Sequence, residues 1–193
     1  RRGRPNINQP WPSISIPTHM SCVLLIIASA ALCAISLCAQ VRPNILIFLV
    51  DDMGLMDSSV PFLSENGEPK IHPLNQRYRT PNIESLASKG LRSERFYANC
   101  VCSPSRVSLL TGQNSARHRT TQWINPYRMN SDPKAPKNWS WQGLEENSVT
   151  LPRILSSAGY ETIHVGKGHW GPLNHAGANP LRIGFNHNIA GAA

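Results

Sequence analysis

An α/β fold is expected from three features of this sequence. Ile45–Val50 is a run of six consecutive β-prone apolar residues, the pattern of a strand buried on both faces. Leu91–Ala98 and Tyr160–Val165 read as two further strands. Between them lie helix starts in which Ser or Thr stands beside Pro, at Thr80-Pro81 and Ser103-Pro104. Each strand runs into glycine or polar residues, and ligand sites of open α/β sheets lie beyond the carboxyl ends of their strands.

At 193 residues the chain fits one domain or part of a larger one. Its formal charge of +8 owes much to Arg1, Arg2 and Arg4; setting those three aside from nineteen Lys and Arg leaves sixteen against eleven Asp and Glu from Val41 onward. A mildly basic body suits a mixed, solvated surface or an anionic substrate. No Lys/Arg-rich run or aromatic-interleaved basic stripe points to nucleic acid.

Residues 1–19 are Pro-rich and polar, and read as an upstream extension that is non-native or untranslated. Met20 then opens an apolar run to Ala39, expected to be a signal peptide over 20–39, cleaved near Ala39–Gln40. The run also approaches the length of an uncleaved anchor, and Cys38 offers a poor lipoprotein site behind Leu37. The expectation is export, to the periplasm, medium or cell surface. Cys22, Cys33 and Cys38 would leave with the signal, so only Cys100 and Cys102 remain. Their spacing suits neither a disulfide loop nor a zinc site.

The first expected strand delivers Asp51-Asp52-Met53-Gly54. Adjacent carboxylates repel unless a cation is present, and a divalent ion with oxygen ligands, Ca²⁺ or Mg²⁺, answers that; the plainer reading is two solvated aspartates opening a turn. Leu55–Arg79 reads as a long irregular excursion. Thr80-Pro81 starts a helix through Ile83, Leu86 and Ala87 that ends at Gly90. The Leu91–Ala98 strand then delivers Asn99-Cys100-Val101-Cys102 to the same sheet edge, with Cys100 assigned to packing.

Cys102-Ser103-Pro104-Ser105-Arg106 is read as a helix start with a thiol at its mouth. Ser103 is the expected N-cap, Pro104 the first helical residue, Val107 and Leu110 the apolar stripe, and Gly112 the stop. Free N–H groups and the positive end of the helix dipole make this an anion site. Arg106 lies one turn further in, and its side chain leans back towards the same anion.

Asn114–Asn147 reads as loop, with Trp123, Trp139 and Trp141 available to line a cleft or to pack the loop down, and Asn138-Trp139-Ser140 as a glycosylation acceptor in a eukaryotic secretory host. Thr150 is expected to cap a helix over Leu151–Ala158, closed by Gly159. The strand Tyr160–Val165 ends at Gly166-Lys167-Gly168-His169.

Three of these blocks together resemble the type I, formylglycine-dependent sulfatases of the alkaline phosphatase superfamily. Cys102 to Gly112 fills every fixed position of the family pattern C-x-P-S-R-x-x-L-x-T-G. Arg42-Pro43-Asn44-Ile45 with Asp51-Asp52-x-Gly54 resembles its first block. Ala158-Gly159-Tyr160-x-Thr162 with Gly166-Lys167-x-His169 resembles its third, with Gly168 where tryptophan is common and Trp170 just after. The resemblance covers Arg42 to Phe185 and implies the N-terminal part of a sulfatase/alkaline-phosphatase-like domain over 40–193, with a mixed, mostly parallel sheet flanked by helices. It further implies that Cys102 becomes formylglycine through a formylglycine-generating enzyme, and that Asp51, Asp52 and the modified Cys102 bind Ca²⁺. Arg106 and Lys167 would neutralise the sulfuryl group, and His169 would hold a hydroxyl of the nucleophile. Further metal ligands of the family, an aspartate and an asparagine, with another lysine and histidine, fall beyond this sequence, so a truncated or degenerate copy is expected.

The implied activity is sulfate-ester hydrolysis on a sulfated small molecule or polysaccharide. The alternatives are a phosphate or phosphonate ester hydrolase of the same superfamily, and an exported metal- or anion-binding domain without turnover.

Overall fold

The computed structural model describes residues 42–127, 134, 136 and 143–191. The expected upstream extension 1–19, the signal segment 20–39, Asn138, Trp139 and Trp141 all lie outside the described residues. The chain divides into two compact units, Arg1–Phe48 and Leu49–Ala193. In the first, the described residues Arg42–Phe48 form no regular element, with Leu46 91% and Phe48 85% exposed.

That corrects the first expected strand: Ile45–Val50 is not a strand. An all-apolar strand requires neighbours on both edges and cover on both faces, and among the described residues nothing pairs with this run. The same correction applies to Leu91–Ala98, where Leu91, Phe96 and Tyr97 are exposed and no ladder forms. Sequence pattern marks these segments as able to form strands, but backbone hydrogen bonds need a partner.

Within the second unit, the excursion after Gly54 is more ordered than its composition implies. Strands β1 (Ser64–Glu65) and β2 (Glu68–Pro69) pair antiparallel about Asn66-Gly67. Both turn residues have positive φ, 54° and 85°, as a two-residue type I′ hairpin requires. A 3₁₀ turn follows at Pro73–Arg77, where His72 Nδ1 accepts from the Leu74 N–H at 3.2 Å. The buried Asn75 donates to the Ser58 carbonyl at 2.9 Å, tying the excursion back on itself.

Helix α1 (Pro81–Lys89) occupies the expected stretch and buries no residue; Leu86 is exposed. Thr80 stands at its cap position without a capping bond, because its hydroxyl is engaged with Ser59. Helix α2 (Cys102–Thr111) begins two residues earlier than expected, with Val101 at the cap position. Ser103 is therefore inside the first turn and caps nothing; its Oγ accepts from the Ile124 N–H at 3.1 Å. Pro104 remains in the first turn, where its missing N–H costs no intrahelical bond. Gly112 ends the helix in the left-handed region at φ 65°, the conformation that favours glycine.

The Asn114–Asn147 loop contains a short helix, α3 (Ser115–His118), capped by the Asn114 side chain. Helix α4 (Leu151–Ser157) follows Thr150, whose hydroxyl donates to the Ile183 carbonyl at 2.6 Å instead of capping. Strand β3 (Ile163–Val165) pairs parallel with β4 (His187–Ile189), and two 3₁₀ turns, Ala176–Ala178 and Pro180–Ile183, fill the crossover. Among the described residues there are two two-stranded sheets, one antiparallel and one parallel; the mostly parallel sheet is not seen.

The core gathers Val107 and Leu110 of α2 against Leu144, Trp170, Ala176 and Ile183, with Phe185 packed at its edge. Gly143 and Gly177 close on the Trp170 carbonyl so tightly that a Cβ would come within 1.8 and 2.3 Å of its oxygen. The segment just after His169 is thus clamped between two glycines. No helix among the described residues is long and apolar enough to cross a membrane.

Candidate active site

The first turn of α2 places Cys102 and Arg106 on one side of the helix, and the turn after β3 brings Lys167 and His169 to them. Cys102 Sγ lies 3.2 Å from His169 Nδ1. Arg106 is nearly buried and spreads its guanidinium between two acceptors: Nη1 donates to the Lys167 carbonyl at 2.7 Å, and Nη2 to Asp51 Oδ1 at 3.1 Å. Lys167 Nζ binds the other oxygen of Asp51. Five of the six residues singled out from the sequence therefore converge: Asp51, Cys102, Arg106, Lys167 and His169.

The electrostatics follow from these contacts. Lys167, then Arg106, holds the Asp51 carboxyl below its ordinary value of 3.8. Burial pushes the His169 imidazole below 6.5, and the nearby Lys167 and Arg106 charges push the same way. His169 Nε2 sits 2.8 Å from the Ile124 carbonyl, an acceptor only, so Nε2 carries the proton and Nδ1 of the neutral ring faces Cys102. The backbone at His169 has φ 59°, a conformation that non-glycine residues adopt at a cost and that clusters at functional sites.

Asp52 does not join this set. It is exposed, with φ 56°. Among the described residues no group of three His, Cys, Asp or Glu side chains is arranged to hold a metal ion. A hard divalent cation takes six to eight oxygen ligands, and here one of the two candidate carboxylates is already neutralised by two cationic side chains. The expected Asp51, Asp52 and Cys102 metal set is not gathered, and the described residues do not fit a divalent ion by themselves. The setting of position 102 fits formylglycine: the side chain occupies a helix mouth with an imidazole against it, and Arg106 follows one turn along the helix.

Further residues support the site, and the sequence assigned none of them a partner there. Trp123 meets the His169 ring edge to face at a centroid distance of 5.6 Å, so one aromatic of the loop packs on a site residue. Trp170 donates its indole N–H to the Arg106 carbonyl at 3.2 Å. Behind the helix, His118 Nδ1 accepts from the Thr120 N–H at 3.1 Å while Nε2 bonds Ser108 Oγ at 2.8 Å. Trp123, His118 and Thr120 come from a loop without periodicity, in which only the aromatic content was a signal, whereas Trp170 directly follows the Lys167–His169 block.

Residues 43–193 match the family model described as Sulfatase. Relatives include the N-acetylgalactosamine-6-sulfatase of Mus musculus, 35% identical over 85% of this chain and 28% of its own length. The arylsulfatase of Klebsiella aerogenes is 31% identical over 78% and 28%, and the human steryl-sulfatase 30% over 77% and 23%. The crystal structure of Ps i-CgsB aligns with 25% identity and a TM-score of 0.47, over 78% of this chain and 29% of that one. This chain spans about a quarter of the length of the curated relatives it matches. The match takes in both the helix that begins at Cys102 and the Lys167–His169 turn beside it, and on that ground the chain belongs to the sulfatase family.

Proposed function

We propose that this chain carries the nucleophile half of a sulfate-ester hydrolase, in which water is added across the S–O bond of the ester to release an alcohol and sulfate. The observation that carries this reading is the contact of His169 with Cys102 at the mouth of α2, with Arg106 of the same helix joined to Lys167 and both cations gathered on Asp51. An sulfuryl group has three equatorial oxygens bearing negative charge in the transition state. Arg106 and Lys167 supply charged donors for those oxygens, where electrostatic stabilisation contributes most. Asp51 holds both cations in register until an anion enters.

Formylglycine, formed from Cys102 by a formylglycine-generating enzyme, would supply a hydrated aldehyde as nucleophile. His169 would receive a hydroxyl proton there through Nδ1, which its Nε2 contact leaves as the acceptor. Trp123 and the Ile124 carbonyl keep the ring in that orientation. Export through residues 20–39 belongs to the same reading, as does a divalent ion, Ca²⁺ before Mg²⁺, whose shell would need ligands other than those described here. The relatives are named for aryl, steryl and N-acetylgalactosamine-6 sulfates; they share the sulfate ester and differ in the alcohol, so the substrate class proposed is the sulfate ester of a small molecule or polysaccharide.

The test is mass spectrometry of the Cys102 peptide after co-expression with a formylglycine-generating enzyme, together with turnover of an aryl sulfate and an aryl phosphate. Aldehyde at position 102 and preferential sulfate release are expected. An unmodified thiol throughout, or preferential phosphate release, overturns the reading.

A further inference from the structure

Two consecutive residues of α2 bracket one imidazole, Cys102 by direct contact and Ser103 through the backbone of Ile124. Cys102 Sγ meets His169 Nδ1 directly at 3.2 Å. On the far edge His169 Nε2 bonds the Ile124 carbonyl at 2.8 Å, and the Ile124 N–H donates to Ser103 Oγ at 3.1 Å. Ser103 and Ile124 are fully buried and His169 is 4% exposed, so water does not compete for these bonds. The path Cys102–His169–Ile124–Ser103 closes on itself through one peptide bond of the helix.

We propose that Ser103 is a positioning residue for the sulfate-ester hydrolysis described above: by fixing the Ile124 backbone it locks His169 as the Nε2–H tautomer, with the Nδ1 lone pair aimed at position 102. This inference rests on that functional reading. The opposite tautomer would present an N–H to position 102 and leave the buried Ile124 carbonyl unpaired, a costly arrangement. The unusual backbone of His169, φ 59°, makes the ring's aim dependent on such outside contacts. The pattern Cys-x-Pro-Ser-Arg leaves the Ser103 position open, so nothing in the motif itself gives this residue a task. Its hydroxyl is also not a helix cap, since Val101 stands there; its partner is the loop that carries Ile124.

The test uses the full 193-residue chain with ¹⁵N-labelled histidine, read by NMR at a pH where the ring is neutral. The wild-type His169 should show a single Nε2–H tautomer with a slowly exchanging ring proton. Ser103→Ala, checked for native secondary structure by circular dichroism, should show a tautomer mixture and fast exchange. In the aldehyde-bearing chain, Ser103→Ala should lower kcat on an aryl sulfate by roughly 100-fold, the scale of a misaligned catalytic group, while KM stays within about twofold. A wild-type His169 in the Nδ1–H form or in a mixture overturns the proposal, and this holds even where Ser103→Ala does not fold. So does a folded Ser103→Ala chain that keeps the pure tautomer, or one whose KM rises with kcat unchanged. Absence of sulfate turnover in the wild type would overturn the functional reading and leave the tautomer result to decide the structural arm separately.

Discussion

The indole N–H of Trp170 donates to the backbone carbonyl of Arg106 at 3.2 Å. One bond thus joins the residue after His169 to the residue whose guanidinium gathers Asp51 and the Lys167 carbonyl. The two halves of the site, one on α2 and one after β3, are thus fastened through the core as well as across the site itself. Trp170 stacks against Phe185 at 5.9 Å and meets His164 edge-on at 4.7 Å, so its ring is packed on several sides.

Trp170→Phe keeps much of that packing and removes the indole donor. A loss of about 1 kcal/mol is expected, the net value of one hydrogen bond. Trp170→Ala should lose roughly 3–5 kcal/mol through the cavity left in the core. Urea unfolding of the two variants separates the bond from the packing.

Gly143→Ala tests the clamp on the same residue. Its Cβ would lie 1.8 Å from the Trp170 oxygen, at a backbone φ of 75°, so both overlap and backbone strain oppose it. Destabilisation of roughly 1–3 kcal/mol or more is expected. Gly67→Ala is the comparison: φ is 85° but nothing lies within 4 Å, and only the backbone penalty of about 1–2 kcal/mol should appear. Thermal melts should rank Gly143→Ala below Gly67→Ala.

Asp51→Asn probes the ion cluster. The folded pKa of Asp51 lies below its ordinary 3.8, so the unfolded chain binds more protons as pH approaches that value. The stabilisation from Asp51 is present above pH 3.8 and is lost as pH falls through the folded pKa. The stability gap between wild type and Asp51→Asn should be constant near neutrality and close below about pH 4, as followed by chemical denaturation across pH. A gap that persists unchanged at pH 3 would show that the carboxylate charge is not what the cluster uses.

Acidification near neutrality acts through two other groups. Burial holds both His169 and His118 below 6.5 when folded. Between the folded and unfolded values, the unfolded chain takes up protons first. Stability is complete above about pH 6.5 and should fall below it, by up to about 1.4 kcal/mol per pH unit for each ring. His118→Gln should flatten part of that slope in unfolding curves between pH 5 and 7.5, without touching the Cys102–His169 pair.

Arg106→Lys removes the planar fork and keeps the charge. A lysine cannot bridge Asp51 and the Lys167 carbonyl with two parallel donors. Turnover of an aryl sulfate by the aldehyde-bearing chain should fall by about 100- to 1,000-fold, the cost of one donor to a developing anion. Steady-state kinetics on the modified protein measure this directly.

The site was more legible in the sequence than the fold around it. Cys102 and Arg106 were legible because a helix turn brings Arg106 under Cys102, whereas Lys167 and His169, at a strand end, were singled out by the resemblance of their block to the sulfatase family. The helices at Pro81, Cys102 and Leu151 were legible from proline and glycine, which act locally. Two expected strands, Ile45–Val50 and Leu91–Ala98, were not realised, since a strand is a relation between segments and apolar content records only one side of it. The hairpin at Asn66-Gly67 carried its own local signal in that dipeptide and was passed over within a polar excursion. Ser103 misled for a physical reason, because a serine beside proline at a helix start serves equally well as a cap or as an acceptor for a neighbouring loop.

The Ile45–Val50 run, which pairs with nothing among the described residues, has a consequence for the chain in solution. Six successive residues of high β-propensity carry no charge and no proline, and Leu46 and Phe48 stand almost fully in water. Such a segment is a template for pairing with its own kind in other molecules. A lysine in place of Leu46 or Phe48 acts as a gatekeeper against such pairing, and light scattering at rising concentration is expected to set in later for Leu46→Lys or Phe48→Lys than for the wild type.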